Sequence, residues 1–446
     1  MDEITGLEVR EERRPLVSRL ARAGLFGRNR DYARFWLGES VSAIGTQITL
    51  LALPLLAVTE LHATPGQMGL LGAAETAPFL LFALVFGALI ERRRRRPILL
   101  AANVGRAVLL GLVPLLFALG VLSMGLLLVI AFAVGSCAVP FELAYQAYLP
   151  RLVARSDLVE ANSRLSASAS VAEIGGPGLG GVLVGTLTAP VAILADALSF
   201  VVSVISLSGI RRAEPEPDAS ADTAGTTLVR QIREGVREMV RNRYLVAFVG
   251  EAATYNVAWN ALNAMLVLWA VRDLGLTPAT LGLLFSLGSV GSLLGALLTG
   301  PLARRIGVGR AMWTSAVVSN VGVLVIPTAG GGTAAVIGVL GFAFFLQTLG
   351  ATATNVHTYA IRQAVTPDRL MGRTTAAYRT ITHGTVPLGA LLGGVLGALL
   401  GPHTAVAIAA LALFPSWLWL YFSPARSLRD IPFDAHSAEL ATETVD

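Results

Sequence analysis

Five consecutive arginines, Arg92 to Arg96, separate two long apolar runs and constrain this chain more than any other feature. The first run begins near Gln67 and ends at the arginines, and the next begins immediately at Pro97. Arginine is very costly inside the hydrocarbon core of a bilayer, and short cationic loops stay on the cytoplasmic side. The turn therefore predicts two membrane spans that meet at the cytoplasmic face.

The composition extends this pattern to the whole chain. The 446 residues are 54% apolar and only 14% charged, which excludes an ordinary soluble domain. A membrane-spanning helix needs about 20 apolar residues. Twelve such runs predict an all-α membrane protein with twelve transmembrane helices, at about 32–59, 67–90, 97–119, 123–149, 162–187, 190–209, 244–271, 279–303, 310–328, 333–361, 373–400 and 403–422.

The basic residues predict the orientation. All 34 are arginine, and only Arg272 falls in a predicted outer loop, while Arg106 and Arg379 fall inside spans. The others lie in predicted inner loops, span ends and tails, so the positive-inside rule places both termini in the cytoplasm. Because the arginines lie between apolar runs, the net charge of +5 indicates no nucleic-acid binding. No cleavable signal peptide is expected, and the lone Cys137 excludes an intrachain disulfide.

The runs divide the chain into five predicted segments. These are a cytoplasmic N-terminal segment (1–30), an N-terminal six-helix bundle (31–209), a cytoplasmic linker (210–243), a C-terminal six-helix bundle (244–423) and a cytoplasmic tail (424–446). The second part of the linker, Leu228 to Arg243, predicts an amphipathic helix that lies on the inner leaflet. The polar tail from Ser423 is expected to be disordered.

The second half of the sequence repeats landmarks of the first. Gly87 with its arginine turn corresponds to Gly300 at an offset of 213, and Tyr148 corresponds to Tyr359 at an offset of 211. The glycine-rich stretch around Pro177 corresponds to one around Pro387 at an offset of 210. Two pseudo-symmetric six-helix bundles are typical of a transporter whose substrate site lies near the midplane, between the bundles.

The arginine turn carries a family motif. Gly87, Arg92, Arg95 and Arg96 match the pattern Gly-x-x-x-Asp-Arg-x-Gly-Arg-Arg, with Glu91 in place of its aspartate. Arg94 replaces a glycine of the pattern. With this motif and the twelve predicted spans, the chain resembles the major facilitator superfamily. The resemblance covers about 31–423. In that family this loop lies between spans two and three.

Other stretches resemble one branch of that superfamily. Gly176, Pro177, Gly180 and Gly181 resemble the motif of the antiporter branch, although the glycines that usually precede it are missing. The stretches 149–153, 159–162 and 196–200 are similar to macrolide-type drug exporters and enterobactin exporters. The resemblance implies proton-coupled efflux of a bulky organic compound, such as a drug or siderophore, by a monomer in a bacterial inner or plasma membrane. An importer or lipid-flipping facilitator, or a receptor or scaffold without transport, remains an alternative.

Ionisable residues inside spans are expensive and are functional candidates by default. The chain places such acids at Glu39, Glu75, Glu142, Glu173, Asp196 and Glu251. Because burial favours the protonated form of a carboxyl group, these acids are candidates for proton coupling. Glu39, Glu142 and Glu173 rank first by depth and by their spans, and Arg106 is expected to pair with an acid such as Glu142. For each acid, a purely structural role is the alternative. No arginine lies between Met124 and Pro150, where many family antiporters carry one, which leaves the proton relay unassigned.

Two motifs predict contacts between the halves. Glu91 and its arginines are expected to fasten the cytoplasmic ends of the bundles as a gate, and a topogenic charge cluster is the alternative. The small residues from Gly176 to Gly181 permit close helix packing. The functional interpretation is a seal or hinge between spans five and eight, and ordinary tight packing is the alternative.

Amide and aromatic residues predict a substrate cavity. Asn256, Asn260 and Asn263 share one face of span seven, beside Tyr255 and Trp259, and span ten adds Gln347 and Asn355. Interhelical hydrogen bonding is the alternative role for the same residues. Neither His357 nor His383 has metal-ligand company, and the sequence has no nucleotide-binding loop. The sequence therefore predicts a protein without enzymatic activity, metal site or cofactor. The predicted partners are protons, a small-molecule substrate and the lipid bilayer.

Overall fold

The computed structural model describes residues 24–91, 93–212, 214 and 228–431. Twelve long helices dominate it, and the described residues contain no strand. They are α1 (Arg30–Thr59), α2 (Pro65–Glu91), α3 (Arg95–Ala118), α4 (Met124–Leu152), α5 (Leu158–Thr186), α6 (Ala189–Ser208), α7 (Arg243–Arg272), α8 (Pro278–Ile306), α9 (Val308–Val325), α10 (Thr333–Ala364), α11 (Asp368–Leu400) and α12 (Pro402–Leu413). After α12, a 3₁₀ turn at Phe414–Ser416 leads into a further helical segment, Trp417–Tyr421.

In the described part of the chain, nine of these helices are long and apolar enough to span a bilayer, with α12 counted to Tyr421. The other three, α2, α5 and α7, contain 27, 29 and 30 residues, where about 20 are needed. Large aliphatic side chains such as Leu297 and Leu399 are 63% and 75% exposed on the outside of the bundle, as expected for a surface that faces lipid. The prediction of twelve transmembrane helices is confirmed.

The helices pack in two halves that repeat one pattern. In the first half α1 packs against α5 and α6, and α2 packs against α4; in the second, α7 packs against α11 and α12, and α8 packs against α10. Between the halves, α2 packs against α11, and α5 packs against α8. Exchange of the halves converts one of these contacts into the other, as a pseudo-two-fold axis requires.

Individual hydrogen bonds of the first half also recur at equivalent positions in the second half. The side chain of Asn29 caps the N-terminus of α1 and donates to the carbonyl of Leu152 at 3.0 Å. The side chain of Asn242 caps α7 and donates to the carbonyl of Val365 at 3.2 Å. Both pairs are related by the offset of 213 found for Gly87 and Gly300. The repeat therefore extends to capping residues that ordinary sequence patterns do not reveal.

The apolar core is shared by the halves at one end and divided at the other. We call the end with the turns Glu91–Arg95, Leu152–Leu158, Ile306–Val308 and Ala364–Asp368 the arginine-rich face, and the other end the opposite face. Toward the opposite face, one cluster joins buried residues of both halves. Toward the arginine-rich face, each half has its own cluster. Within the described residues, the halves are thus joined at the opposite face.

Close backbone contacts hold the opposite face together. The Cα atoms of Gly181 in α5 and Gly282 in α8 lie so close that a Cβ atom on either glycine would lie 3.0 Å from the other's Cα. Gly69 in α2 meets Gly394 in α11 in the same manner. The side chain of Arg272 donates to the carbonyl of Ala63 at 2.9 Å and links the two halves there.

The segment after the last helix of each half returns to the third helix of that half. The Glu214 carboxylate accepts from the N–H groups of Arg95 and Arg96 at the start of α3. The carbonyls of 428 and 429 accept from the N–H groups of Val308 and Gly309 at the start of α9. The predicted disorder of the tail is therefore wrong for residues 424–431, because these contacts satisfy backbone groups of both segments. Residues 432–446 lie outside the described residues.

The linker contains one helix, Leu228–Arg241, which we call the linker helix. It packs against the start of α11, where Gly235 meets the backbone of Arg373, and Met239 is buried in the core cluster of the second half. The amphipathic helix is confirmed, but its buried side docks on protein. A helix on the leaflet surface alone does not account for these contacts.

Candidate functional site

A cavity of about 430 Å³ lies between the two halves. We call it the central cavity. The first half contributes Gln47, Glu75 and Thr76, and the second half contributes Trp259, Asn260, Asn263, Ser289, Gln347 and Thr348. Phe285 and Phe344 add aromatic surface, and no arginine is among the lining residues. The structure thus brings together four of the predicted cavity residues, Trp259, Asn260, Asn263 and Gln347.

A second cavity of about 200 Å³ lies inside the second half. We call it the inner cavity. It contains the other two predicted cavity residues, Asn256 and Asn355, together with Glu251. The Nε2 group of Gln347 donates to the hydroxyl of Tyr255 at 2.6 Å. Since Gln347 lines the central cavity and Tyr255 lines the inner cavity, this hydrogen bond is part of the wall between them.

The predicted intramembrane acids have different surroundings. Glu75 lines the central cavity, and no described charged residue compensates its carboxyl group. Asp196 is only 1% exposed and accepts from Thr49 at 2.6 Å and from Ser199 at 3.0 Å. The bond from Thr49 ties α6 to α1, and the bond from Ser199 lies within α6, which fits the structural role. Glu173 is exposed on α5, and its backbone carbonyl accepts from Ser289 of α8 at 2.7 Å.

Glu39 and Glu142 lie near Arg106 in the first half. Of the described acids, Glu39 has the strongest electrostatic interaction with the Arg106 guanidinium, and one of its carboxylate oxygens is buried without a hydrogen bond. Glu142 is exposed and interacts electrostatically with Arg106 and with His383 of α11. The ring of His383 in turn stacks on Phe79 of α2, with ring centroids 4.8 Å apart. An acid of one half therefore faces a histidine of the other.

Arg106 binds aromatic rings. Its guanidinium carbon lies 4.6 Å from the ring centre of Phe141 and 5.2 Å from that of Phe200. Within the described residues it makes no ion pair, so the expected pair with Glu142 is absent. Cation–π contacts stabilise a desolvated guanidinium, and they account for an arginine inside a helix bundle.

The arginine turn makes its described contacts with the first half and with the start of the linker. Arg95 lies 3.5 Å from the Glu214 carboxylate, and Arg96 donates to the carbonyls of Leu207 and Ser208 at the end of α6. A Cβ atom on Gly87 would contact nothing, so close packing does not require that glycine. Arg92 and the side chain of Glu91 lie outside the described residues, and the gate that they would form remains a prediction.

The glycine motif of α5 packs in two directions. Gly176 and Gly180 lie against Gln47 and Ile48 of α1, and Gly181 lies against α8. Pro177 lines the central cavity, and its carbonyl lies against Gly282. The motif therefore joins the two halves beside the cavity, which is compatible with both a seal and ordinary packing.

Sequence analysis missed several residues of these sites. Glu214 is one of several acids in a polar segment, 119 residues from its partner Arg95, and no local pattern singles it out. Gln47 and Asn320 line the two cavities, and each is an amide within an apolar run. Amides in spans were the available signal, since lipid does not satisfy their hydrogen bonds.

Comparison with known proteins assigns the family. Residues 26–444 match the family model described as transmembrane secretion effector. The MFS-type transporter YfiS of Bacillus subtilis is 24% identical over 84% of this chain and 89% of its own length. The multidrug efflux pump Tap of Mycolicibacterium fortuitum is 26% identical over 80% and 87%. Macrolide efflux protein A of Streptococcus pyogenes is 21% identical over 59% and 65%.

The fold has counterparts among solved structures. The crystal structure of the nucleoside transporter NupG superposes with a TM-score of 0.71 at 12% identity, covering 88% of this chain and 99% of that one. At this identity the likeness shows the fold alone. With the family match over nearly the whole length and the two-half architecture, the chain belongs to the transmembrane secretion effector family of the major facilitator superfamily, whose members are membrane transporters.

Proposed function

We propose that this transporter exports a bulky organic compound, of the drug, macrolide or siderophore kind, in exchange for protons. The observation that carries the proposal is the placement of Glu75 in the central cavity. An uncompensated carboxyl group among amides and aromatic rings favours protonation, or a bound cation, over a bare charge. Binding of the proton and binding of the substrate then compete for one cavity, so that release of one permits binding of the other. The efflux relatives support the direction of transport.

The other acids have subordinate roles in this proposal. Glu39, Glu142 and Arg106 form a second ionisable group inside the first half, from which a proton can be exchanged as the bundles move. Asp196 holds α1 against α6. Glu173, on the α5 side of the contact with α8, responds to separation of that contact.

The proposal includes the arrangement in the membrane. The arginine-rich face lies in the cytoplasm of a bacterium, in accordance with the positive-inside rule, so both termini are cytoplasmic. Two bundles, 31–209 and 244–423, are joined by the linker 210–243 and flanked by terminal segments 1–30 and 424–446. The shared core at the opposite face then corresponds to a state closed to the outside, and rocking of the bundles alternates access. A single copy of the chain is the functional unit.

The test uses the purified protein in proteoliposomes with a preset pH gradient. A macrolide antibiotic is the probe, and a nucleoside is the contrast because of the fold shared with NupG. Loss of the gradient on addition of the macrolide is expected, and Glu75→Gln is expected to abolish it while macrolide binding persists. The matched control is Glu60→Gln, at an exposed acid on the opposite face.

The alternatives predict other results. Uptake of the nucleoside down its gradient, without macrolide flux, would favour an importer. Transfer of labelled lipid between leaflets would favour a lipid facilitator. Absence of flux for every probe, with binding retained, would favour a receptor or scaffold. A macrolide flux that leaves the pH gradient intact contradicts proton coupling.

A further inference from the structure

Glu251 is a buried acid without a partner. It lies in α7, lines the inner cavity and is only 9% exposed. Within the described part of the chain, no hydrogen bond or ion pair reaches its carboxyl group, and no arginine compensates it electrostatically. A bare charge in such a place is strongly unfavourable, so the carboxyl group requires a proton or another cation.

The amides of the cavity wall present acceptors to that space. The Nδ2 group of Asn256 donates to the carbonyl of Thr382 at 2.9 Å. The Nδ2 group of Asn320 donates to the carbonyl of Phe414 and to the hydroxyl of Ser416, both at 2.9 Å. Both N–H groups of the Asn320 amide and one of the two N–H groups of the Asn256 amide are thus used on neighbouring elements, and the two carbonyl oxygens remain available to the cavity.

Two hydroxyl groups also have oxygen lone pairs available to the cavity. Thr354 donates to the carbonyl of Gly350 at 2.8 Å, and Thr382 donates to the carbonyl of Tyr378 at 2.9 Å. A hydroxyl group that donates its single proton to the backbone retains only lone pairs for other partners. The lining therefore supplies a carboxylate, two amide oxygens and two hydroxyl oxygens as acceptors, beside side chains such as Asn355 and Tyr378 that can also donate.

We propose that the inner cavity binds a small monovalent metal cation, of which Na⁺ is the expected one. Carboxylate, amide and hydroxyl oxygens are the ligands that hard cations prefer, and a single carboxylate balances a single positive charge. No cluster of three His, Cys, Asp or Glu side chains occurs in the described residues, which argues against a transition metal. Arg362 lies outside the lining, 4.0 Å over the ring of Tyr378.

A proton alone is a poorer match to this site. It would neutralise Glu251, and the protonated carboxyl group would give a hydrogen bond to at most one of the other acceptors. A metal cation is shared by all of them. The proposal rests on transport only for its physiological role as a coupling ion, because cation binding itself is measurable without any substrate.

Equilibrium binding of ²²Na⁺ to the purified full-length protein in nanodiscs tests the site. Saturable binding of about one ion per chain is expected, and it should weaken as the pH falls because protons compete for the carboxylate. Glu251→Gln, which keeps the shape and removes the charge, is expected to abolish it. Thr382→Val is expected to weaken it by roughly tenfold, as for the loss of one strong polar contact.

The matched control is Glu60→Gln, at an exposed acid on the opposite face, which should leave Na⁺ binding unchanged. Competition with K⁺ and choline identifies the ion, and saturation by either Na⁺ or K⁺ supports the site. No saturable binding of either ion, or binding that persists in folded Glu251→Gln protein, overturns the proposal. Failure of macrolide transport with Na⁺ binding intact would count against the proposed function alone.

Discussion

The Glu214 carboxylate accepts a hydrogen bond from the backbone N–H of Arg95 at 2.7 Å and lies 3.5 Å from the guanidinium of the same residue. Both side chains are buried, at 5% and 8% exposure. One acid thus caps a helix N-terminus and neutralises a buried arginine. Arg151, at the end of α4, lies 3.9 Å from the same carboxylate. The first residues of the linker are therefore held by the ends of α3 and α4.

Glu214→Gln should destabilise the protein, because it leaves Arg95 buried beside a neutral group. Removal of one partner of a buried ion pair typically costs about 3–5 kcal/mol. The unfolding temperature in detergent should fall by several degrees, while Glu60→Gln, at an exposed acid, should leave it unchanged. Equal unfolding temperatures for the two variants would show that the cap contributes nothing measurable.

A disulfide across α5 and α8 should lock the opposite face. A Cβ atom on Gly185 would lie 3.9 Å from the Cβ of Ala279, within the range of about 3.5–4.5 Å seen in disulfides. In a Cys137→Ser background, Gly185→Cys with Ala279→Cys should cross-link on oxidation and stop transport. Reduction should restore transport if the halves must separate there.

The control pairs Gly175→Cys with Ala279→Cys. A Cβ atom on Gly175 would contact nothing, so no cross-link is expected. Cross-linking is detected by cleaving the linker with a protease and testing whether the two halves remain covalently joined. Full transport by the oxidised Gly185–Ala279 pair would contradict alternating access through this contact.

Tyr255 and Gln347, in the wall between the cavities, should act together in macrolide binding. Tyr255→Phe and Gln347→Leu each remove the same hydrogen bond, whose net value is on the order of 1 kcal/mol. Each variant should therefore weaken macrolide binding several-fold, as measured by quenching of the fluorescence of Trp259, which lines the central cavity. The double variant should bind no more weakly than the single ones. Additive losses would show that the two side chains act separately.

Docking of the linker helix depends on a glycine. A Cβ atom on Gly235 would meet the carbonyl of Arg373 and would lie 3.3 Å from the Cβ of Ala377. Gly235→Val should therefore loosen the helix. Overpacking that costs about 1–3 kcal/mol corresponds to hydrogen exchange that is faster by roughly five- to 150-fold. Val240→Ser, at a position 69% exposed, is the control. Unchanged exchange in Gly235→Val would show that the helix tolerates a shift.

The sequence predicted the membrane architecture because lipid imposes a simple rule. Each span must be long and apolar, and the runs beginning near Gln67 and Pro97 match α2 and α3 within a few residues. The repeat was visible for the same reason, since Gly87 and Gly300 mark equivalent turns. The capping pair Asn29 and Asn242 escaped notice, because an isolated asparagine before a helix carries little signal.

The candidate sites were predicted less completely. Six acids in apolar runs look alike in sequence, but Asp196 accepts from two hydroxyl groups, while the described residues provide no partner for the carboxyl groups of Glu75 and Glu251. Arg95 matched a gating motif between the halves, yet its described partner is Glu214 at the start of the linker. Partners more than a hundred residues away decide these roles, and no spacing rule reaches that distance.

The hydrogen bond between Tyr255 and Gln347 has a thermodynamic consequence. A ligand in either cavity contacts one of its two ends, so occupancy on one side is felt on the other. By thermodynamic linkage, the factor by which the bound ion changes drug affinity equals the factor by which the bound drug changes ion affinity. Titration of the ion with and without drug therefore measures the strength of this coupling without any flux experiment.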